Sequence, residues 1–425
     1  MKKKLVGFLF IILVVSLLMS TCLGAQKKKV TIRFATWAGT DEAKELQEII
    51  DQLNAKSQQY IIEQDSNPAD YDTRLLTQLS GRGGPDLFWV SSQRAAQLSA
   101  KGVMLDITKM LASSKHEAAN IADYFEASLE PFKVKERIYG LPWIEQPVVL
   151  YVNRDLFDKA NVTIPKGNWD WDKFLEVAQK LTIDNSGKNA GEKGFNKSAI
   201  KQWGFTVNGW PPAQIFVWQS GGDIIAPDFS CSPIDTPEAI RGFKFYADLI
   251  NSPMVPSQQT IRDRGFDTMF RNQQVAMFMG GAADNLENRV DFRCEVIEVP
   301  MGPTGIKSTF ADVLGMGINS KTKNPKAAFE ALLDLTSAIH QWKVMPPRKS
   351  LATLETMNKL HPERSQAMQN IINSLAYAQP YRYFENYPDW DNIFWTQLMD
   401  PIVNNQGDPE ELITIVKPLL DEKLK

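Results

Sequence analysis

Cysteine and histidine are nearly missing from this chain, with three of each in 425 residues. The histidines, His116, His340 and His361, lie far apart with no metal-ligand spacing between them. That argues against a histidine-built metal centre and for three solvated surface side chains. No G-x-S-x-G nucleophile elbow and no phosphate-binding P-loop occur. The run "IDNSGKNAGE" from Ile183 has a trace of a calcium loop, but Lys188 stands where an oxygen ligand belongs. Excess positive charge is lacking as well: 47 Lys and Arg face 50 Asp and Glu, a net −3. A nucleic-acid partner asks for a basic face, so none is expected. Neither a metal nor a cofactor is expected. The 50 acids offer many carboxylate pairs of the glycosidase kind, but no local signal selects one.

Long apolar runs are also scarce, and the one at the start is short. Lys2, Lys3 and Lys4 precede a run from Leu5 to Met19, broken by Gly7 and Ser16. About 15 residues fall short of the roughly 20 that span a bilayer as a helix. A positive start, a short greasy core and small residues after it predict a signal peptide over residues 1–21. Met19-Ser20-Thr21-Cys22 resembles a bacterial lipobox, although Met19 and Thr21 are not its usual residues. Acylation of Cys22 would make a membrane anchor, each buried methylene contributing about 0.8 kcal/mol. The rival is cleavage after Ala25, which discards Cys22. Removing residues 1–21 takes three lysines from the net charge of −3 and leaves −6. Export permits a disulfide between Cys231 and Cys294; a bridge and two free thiols both remain open.

With 43% hydrophobic residues the chain can bury a sizeable core, and its length suggests two lobes. "VTIRFATW" reads as a strand, and Thr40 as the cap of a helix with Leu46, Ile49, Ile50 and Leu53 on one face. "YIIEQ" is a second strand, Asp70 the cap of a second helix, and the continuously apolar "PDLFWV" a third strand covered on both faces. This alternation predicts an α/β lobe. Further on, "VVLYVNRDLF" passes from strand to helix, Asp170 or Asn168 opens another helix, and Thr236-Pro237 starts a third. "VAMFM" is a short buried strand, Asn324-Pro325 begins a helix, and Asp408-Pro409-Glu410-Glu411 caps the last one, with Leu412, Val416 and Leu419 inward. Residues 184–197 read as a surface loop.

Tryptophan is what the chain has in plenty. Of 11, Trp37, Trp89, Trp143, Trp210, Trp218, Trp390 and Trp395 sit where strands or turns end. An indole offers a flat apolar face and one N–H donor. A sugar ring presents a matching C–H face and a rim of hydroxyls. Ligands bind at the carboxyl ends of strands in open α/β sheets, so aromatics placed there suggest a sugar site, though most single tryptophans pack in cores.

The order of segments resembles the bacterial extracellular solute-binding family 1 of ABC importers, which includes maltose-binding protein. "VTIRFATWAGTDEAKELQEIIDQLNAKS", "YDTRLLTQLSGRGGPDLFWV", "YGLPWIEQPVVLYVNRDLFDKANV", "FDTMFRNQQVAMFMGGAADN" and "FADVLGMGINSKTKNPKAAFEALLDL" carry the likeness. It implies an α/β, two-lobe periplasmic-binding-protein fold of type II, with lobes joined by crossing strands and ligand in the cleft. The N-lobe would span 28–143 and 316–345, the C-lobe 148–312 and 350–425. Hinges would fall near Pro142–Pro147, Asp312–Gly315 and Pro346–Ser350. Implied ligand-binding residues are Trp37, Gly39, Asp41, Asp70, Trp89, Ser91, Gln146, Trp210, Gln214, Gly280, Gly281, Asp312, Arg348 and Trp395. For Asp70 helix capping, and for Arg348 a plain surface position, are equally good readings. Many relatives carry a tryptophan where this chain has Gly281, Ala282 and Ala283, so one stacking platform is absent. The implied function is non-enzymatic: a monomer that captures a sugar or oligosaccharide, delivers it to membrane permease subunits and faces the periplasm or cell exterior from a lipid anchor. The alternatives are a same-fold binder of a polyol phosphate or polyamine, and a secreted carbohydrate-active enzyme.

Overall fold

The computed structural model describes residues 29–81, 83–206, 213–342 and 345–424. Strands and helices alternate at the start: β1 (Val30–Thr36), α1 (Thr40–Lys56), β2 (Tyr60–Ser66), α2 (Tyr71–Ser80), β3 (Leu87–Ser91) and α3 (Ser92–Ala100). β1 pairs in parallel with both β2 and β3. Then come β4 (Gly140–Asn153), α4 (Trp171–Leu181), β5 (Ile200–Thr206), α5 (Pro237–Ile250), β6 (Val275–Gly281), β7 (Cys294–Ile297) and β8 (Thr309–Ile318). The chain ends through α6 (Pro325–Ile339), α7 (Ser365–Leu375) and α8 (Pro409–Leu424).

The strand order β2-β1-β3-β8-β4-β6-β5 hides a division into two lobes. β4 changes partners along its length. Its first half, to Pro147, pairs antiparallel with β8, and its second half, from Val148, pairs with β6 and β7. The cores divide at the same place. Ile32, Phe34 and Trp89 pack under α6 on one face of the first sheet, and Ala35, Phe88 and Val90 meet Leu75, Leu79 and Leu98 on the other. In the second lobe Val148, Leu150 and Val152 face Phe174 and Phe243, while Val149 and Tyr151 face Met368 and Ile371. Alternate residues of a strand point to opposite faces, and both faces are covered, so the run reads as unbroken apolar sequence. Each fully buried Val, Leu, Ile or Phe contributes about 1.5–3 kcal/mol, an upper bound set by the extended-chain reference.

Three segments cross between the lobes, and they converge on one residue. Glu145 of β4 sits opposite Val313 of β8, and its N–H donates to the Met345 carbonyl of the third crossing at 3.2 Å. A register shift between Leu314 and Gly315 bends the β4–β8 ladder there.

Local expectations hold at most helix starts. Asp170 accepts from Lys173 N at 2.9 Å, Thr236 from Ala239 N at 3.3 Å, and Asp408 from Glu410 N at 2.9 Å. Some do not. Gly39, not Thr40, is the cap of α1. The inward stripe of α8 is Ile413, Val416 and Leu420, while Leu419 is exposed, because the helix turns its face one residue from the expected stripe. His340 is no surface residue. It is 1% exposed, its Nε2 lies 3.1 Å from the Pro142 carbonyl, and burial lowers its pKa to about 4. Cys231 and Cys294 are both free thiols.

Candidate functional site

β1, β2 and β3 all end on the same side, and their C-terminal ends and the loops beyond them line one cavity of about 480 Å3. Trp37 comes directly after β1, Asp70 to Thr73 open α2 after β2, and Ser91 ends β3. Leu314 of the crossing strand β8 forms the remaining wall. Among the described residues the second lobe contributes none of this lining.

Trp37 is the half-buried ring at this mouth. Behind it stands Trp89, tilted by 59° at a centroid distance of 5.1 Å. Trp89 in turn stacks on Trp143 at 4.7 Å, and Tyr71 meets Trp37 edge-on at 5.3 Å. The Tyr71 hydroxyl donates to the carbonyls of Trp89, at 2.8 Å, and Ala35, at 3.1 Å, and so clamps the start of α2 to β1 and β3. Trp37 is therefore a rigid aromatic surface with one side left for a ligand. Beside it, Asp70 adopts the left-handed conformation, φ 50°, and its side chain makes no capping bond to α2. Capping thus does not account for Asp70, and its exposed carboxylate lines the cavity. Asp72 is held by Arg94 at 3.1 Å. Ser91 caps α3 through Arg94 N at 3.4 Å.

The crossing strands are tied together beside this cavity, near Leu314. Gln146 Nε2 donates to Asp312 Oδ2 at 3.0 Å, and Gln146 Oε1 accepts from Ala283 N at 3.3 Å. One amide thus joins β4, β8 and the turn after β6. Burial raises the Asp312 pKa, partly offset by the Gln146 bond.

Toward the second lobe, Ala378 and Gln379 pair with Thr309 and Phe310 at the start of β8. This carries Tyr381 and Tyr383 to the hinge. Burial pushes the Tyr383 hydroxyl up, and the Asp312 and Asp391 carboxylates raise it further. Asp391 is itself raised by burial, and its Oδ1 accepts from the Tyr387 hydroxyl at 3.2 Å. Tyr383 thus lies within electrostatic reach both of Asp312 on the crossing strand and of Asp391. Trp395 is half-buried and lies in a π-helical turn, Phe394–Met399, a distortion common at functional sites.

Several expected site residues sit elsewhere. Trp89 is 0% exposed, so it backs Trp37 and has no face of its own for a ligand. The space beside Gly280 is filled by Phe278 and Asp284, whose atoms would lie 2.5 and 2.8 Å from a Cβ there. This glycine serves internal packing, and the carbonyl of Gly281 accepts from the Tyr151 hydroxyl at 2.8 Å. Arg348 is buried, its guanidinium paired with Asp123 at 2.9 Å and Glu117 at 3.4 Å. It is neither a cleft nor a surface residue but fastens the third crossing to the first lobe. Gln214 is 1% exposed. Gly39 and exposed Asp41 come after Trp37 at the start of α1. Trp210 and Cys22 lie outside the described residues. Of the other strand-end tryptophans, Trp143, Trp218 and Trp390 are core. Sequence reading passed over Tyr71, Asp72, Thr73, Leu314 and Tyr383. The alternation in "YRYF", with Tyr381 and Tyr383 two apart, was the available signal for the last.

Comparison with known proteins agrees with this architecture. An ABC substrate-binding protein from Listeria monocytogenes, solved in complex with cycloalternan, superposes with a TM-score of 0.79 at 20% identity, covering 93% of this chain and 99% of that one. A cyclic alpha-maltosyl-1,6-maltose binding protein from Arthrobacter globiformis gives 0.76 at 15% identity, covering 93% and 99%. These likenesses establish the two-lobe fold. By sequence, a Brucella abortus relative named as a binding protein is 24% identical over 71% of this chain and 72% of its own length. An arabinooligosaccharide-binding protein of Halalkalibacterium halodurans is 23% identical over 51% of this chain and 46% of its own. The family model described as "Bacterial extracellular solute-binding protein" matches residues 35–338, and the chain belongs to that family.

Proposed function

We propose that this protein is the substrate-binding component of an ABC importer and takes a neutral sugar or oligosaccharide between its lobes. The carrying observation is the pairing of one rigid indole, Trp37, with the carboxylates of Asp70 and Asp72 in a cavity at the strand ends. An indole face covers the C–H side of a pyranose, and carboxylates accept from its hydroxyls. The relatives' named ligands, cycloalternan and arabinooligosaccharides, are of the same class. The polyol-phosphate alternative is weakened, because the arginine expected in the cleft, Arg348, is consumed by an internal ion pair. We place the lobes at 28–143 with 316–345, and 148–312 with 350–425. The ligand would leave unchanged, passed to permease subunits, from a monomer anchored outside the membrane through Cys22. A thermal-shift screen tests the substrate class. A matching sugar at about 100 times its dissociation constant should add roughly 2.7 kcal/mol of stability. Stabilisation by polyol phosphates or polyamines alone would overturn the assignment.

A further inference from the structure

The first lobe has an end opposite its cavity. β1, β2 and β3 are parallel, so their starts lie together, about 23 Å from the cavity along the 7 residues of β1. α1, α2 and α3 return to this end, because β2 and β3 restart from it. β8 runs the other way and finishes here, with Ile318 opposite Leu87. The turn after β8 is bonded to its neighbours: Asn319 N–H donates to the Asp86 carbonyl and Ser320 N–H to the Val103 carbonyl, each at 2.9 Å. Six lysines gather on these segments: Lys29 before β1, Lys56 closing α1, Lys101 after α3, Lys321 and Lys323 after β8, and Lys326 in the first turn of α6. All but Lys29 are exposed, and Lys29 Nζ donates to the Asn54 carbonyl in the last turn of α1 at 2.9 Å.

The turns at this end hold one acid, Asp86, and its oxygens accept from Arg33 N at 3.0 Å and from the Thr322 hydroxyl. Among the described residues none of the six lysines forms an ion pair, although Lys173, Lys180, Lys244 and Lys417 elsewhere each do. Some have a local reason. Lys56 and Lys101 stand at helix carboxyl ends, where the dipole favours a cation, and Lys321 Nζ donates to the Leu79 and Ser80 carbonyls that end α2, each at 3.3 Å. Lys323 and Lys326 have the opposite. They flank Asn324, the cap of α6, at the end where the dipole disfavours cations, and the first turn of α6 holds no acid. Helix stability therefore does not account for them. Unpaired lysines at one end of a chain that is net negative suit an anionic partner, and the chain before β1 says which. Lys29 is joined to the proposed anchor, Cys22, by a tether that cannot exceed about 25 Å, which brings this end to the bilayer. We infer that the lysine end of the first lobe docks on anionic lipid headgroups, an orientation that builds on the proposed anchor. A charged sheet engages lysines spread over several turns, whereas a small anion touches one or two. Docked in this way, the strand ends that bear Trp37 and Asp70 stand on the far side of the lobe from the bilayer.

Lysine acetylation, followed site by site by mass, reads the contact. Full-length protein is mixed in about 20 mM salt with vesicles of phosphatidylcholine, alone or with about 30% phosphatidylglycerol. The anionic vesicles should slow acetylation of Lys323 and Lys326 about tenfold relative to phosphatidylcholine, and leave exposed Lys359 of the second lobe unchanged. Salt at about 1 M, where the Debye length is about 3 Å, should abolish the difference. Lys323→Glu combined with Lys326→Glu suits the helix dipole, so that variant should still melt cooperatively, while Lys56 and Lys101 lose most of their protection. Equal rates on both kinds of vesicle overturn the docking, as does protection of Lys359 equal to that of Lys323. Protection of Lys56 and Lys101 that survives the double reversal overturns it too. Slowing by free glycerol phosphate without vesicles would make this a soluble-anion site and refute the inference. Flotation with pure phosphatidylcholine vesicles reports the anchor by itself, so a failed anchor and a failed lysine face give different results.

Discussion

At the scale of single residues, Trp37 and Trp395 are the half-buried indoles left among the described strand-end tryptophans once Trp89, Trp143, Trp218 and Trp390 are assigned to the core. Stacking and burial of one indole on a sugar face is worth on the order of 2 kcal/mol. At 1.4 kcal/mol per decade, Trp37→Ala or Trp395→Ala should weaken sugar binding at least tenfold while leaving a folded protein. Titration calorimetry with the sugar found by screening reads this directly, and unchanged affinity in both variants would remove the stacking role. Composition pointed to tryptophan as a class, but could not sort surface from core. That sorting depends on which strand neighbours cover each ring, and Trp89 is covered by Trp37 and Trp143, which are distant in sequence. Arg348 shows the same gap, since its partners Asp123 and Glu117 lie more than two hundred positions earlier.

Among elements, the crossing strand β4 carries the most consequence. Its Glu145 is 1% exposed and accepts the Ser128 hydroxyl, and burial raises its carboxyl from 4.5 to about 7. Between those values the folded chain holds a proton that the unfolded chain has lost. Stability therefore falls as pH rises from about 4.5 to about 7 and stays low above, a difference of about 3 kcal/mol. Glu145→Gln removes this dependence. Denaturation at about pH 5 and about pH 8 should show the variant gaining on the parent at the higher value; an identical difference at both would mean the carboxyl is charged in the fold. Helix starts were legible because a cap is local chemistry, as Asp170 and Thr236 show. The length of β4 was not, because an apolar run covered on both faces carries no mark of where one sheet ends and the next begins.

For the whole molecule, the two-lobe plan came from the order of segments resembling a family, and the family match and the fold agree with it. Chain length and the strand–helix alternation suggested two lobes of α/β class, and the resemblance supplied how the lobes are joined. The proposed anchor belongs to this scale as well: Cys22→Ala should move the protein out of the membrane fraction or leave it unprocessed, and unchanged fractionation would refute acylation.

The place of β8 between β3 and β4 has a consequence in time. Both neighbours are synthesised long before it, and the stretch from Asn153 to Thr309 takes roughly 8–30 s to make at 5–20 residues per second. Until then β3 and the first half of β4 each present an unpaired edge. α6, which roofs the same sheet, arrives later still. The first lobe begun is thus held unfinished until about three-quarters of the chain exists, and a nascent chain halted before Thr309 carries open edges where the finished protein has a closed ladder.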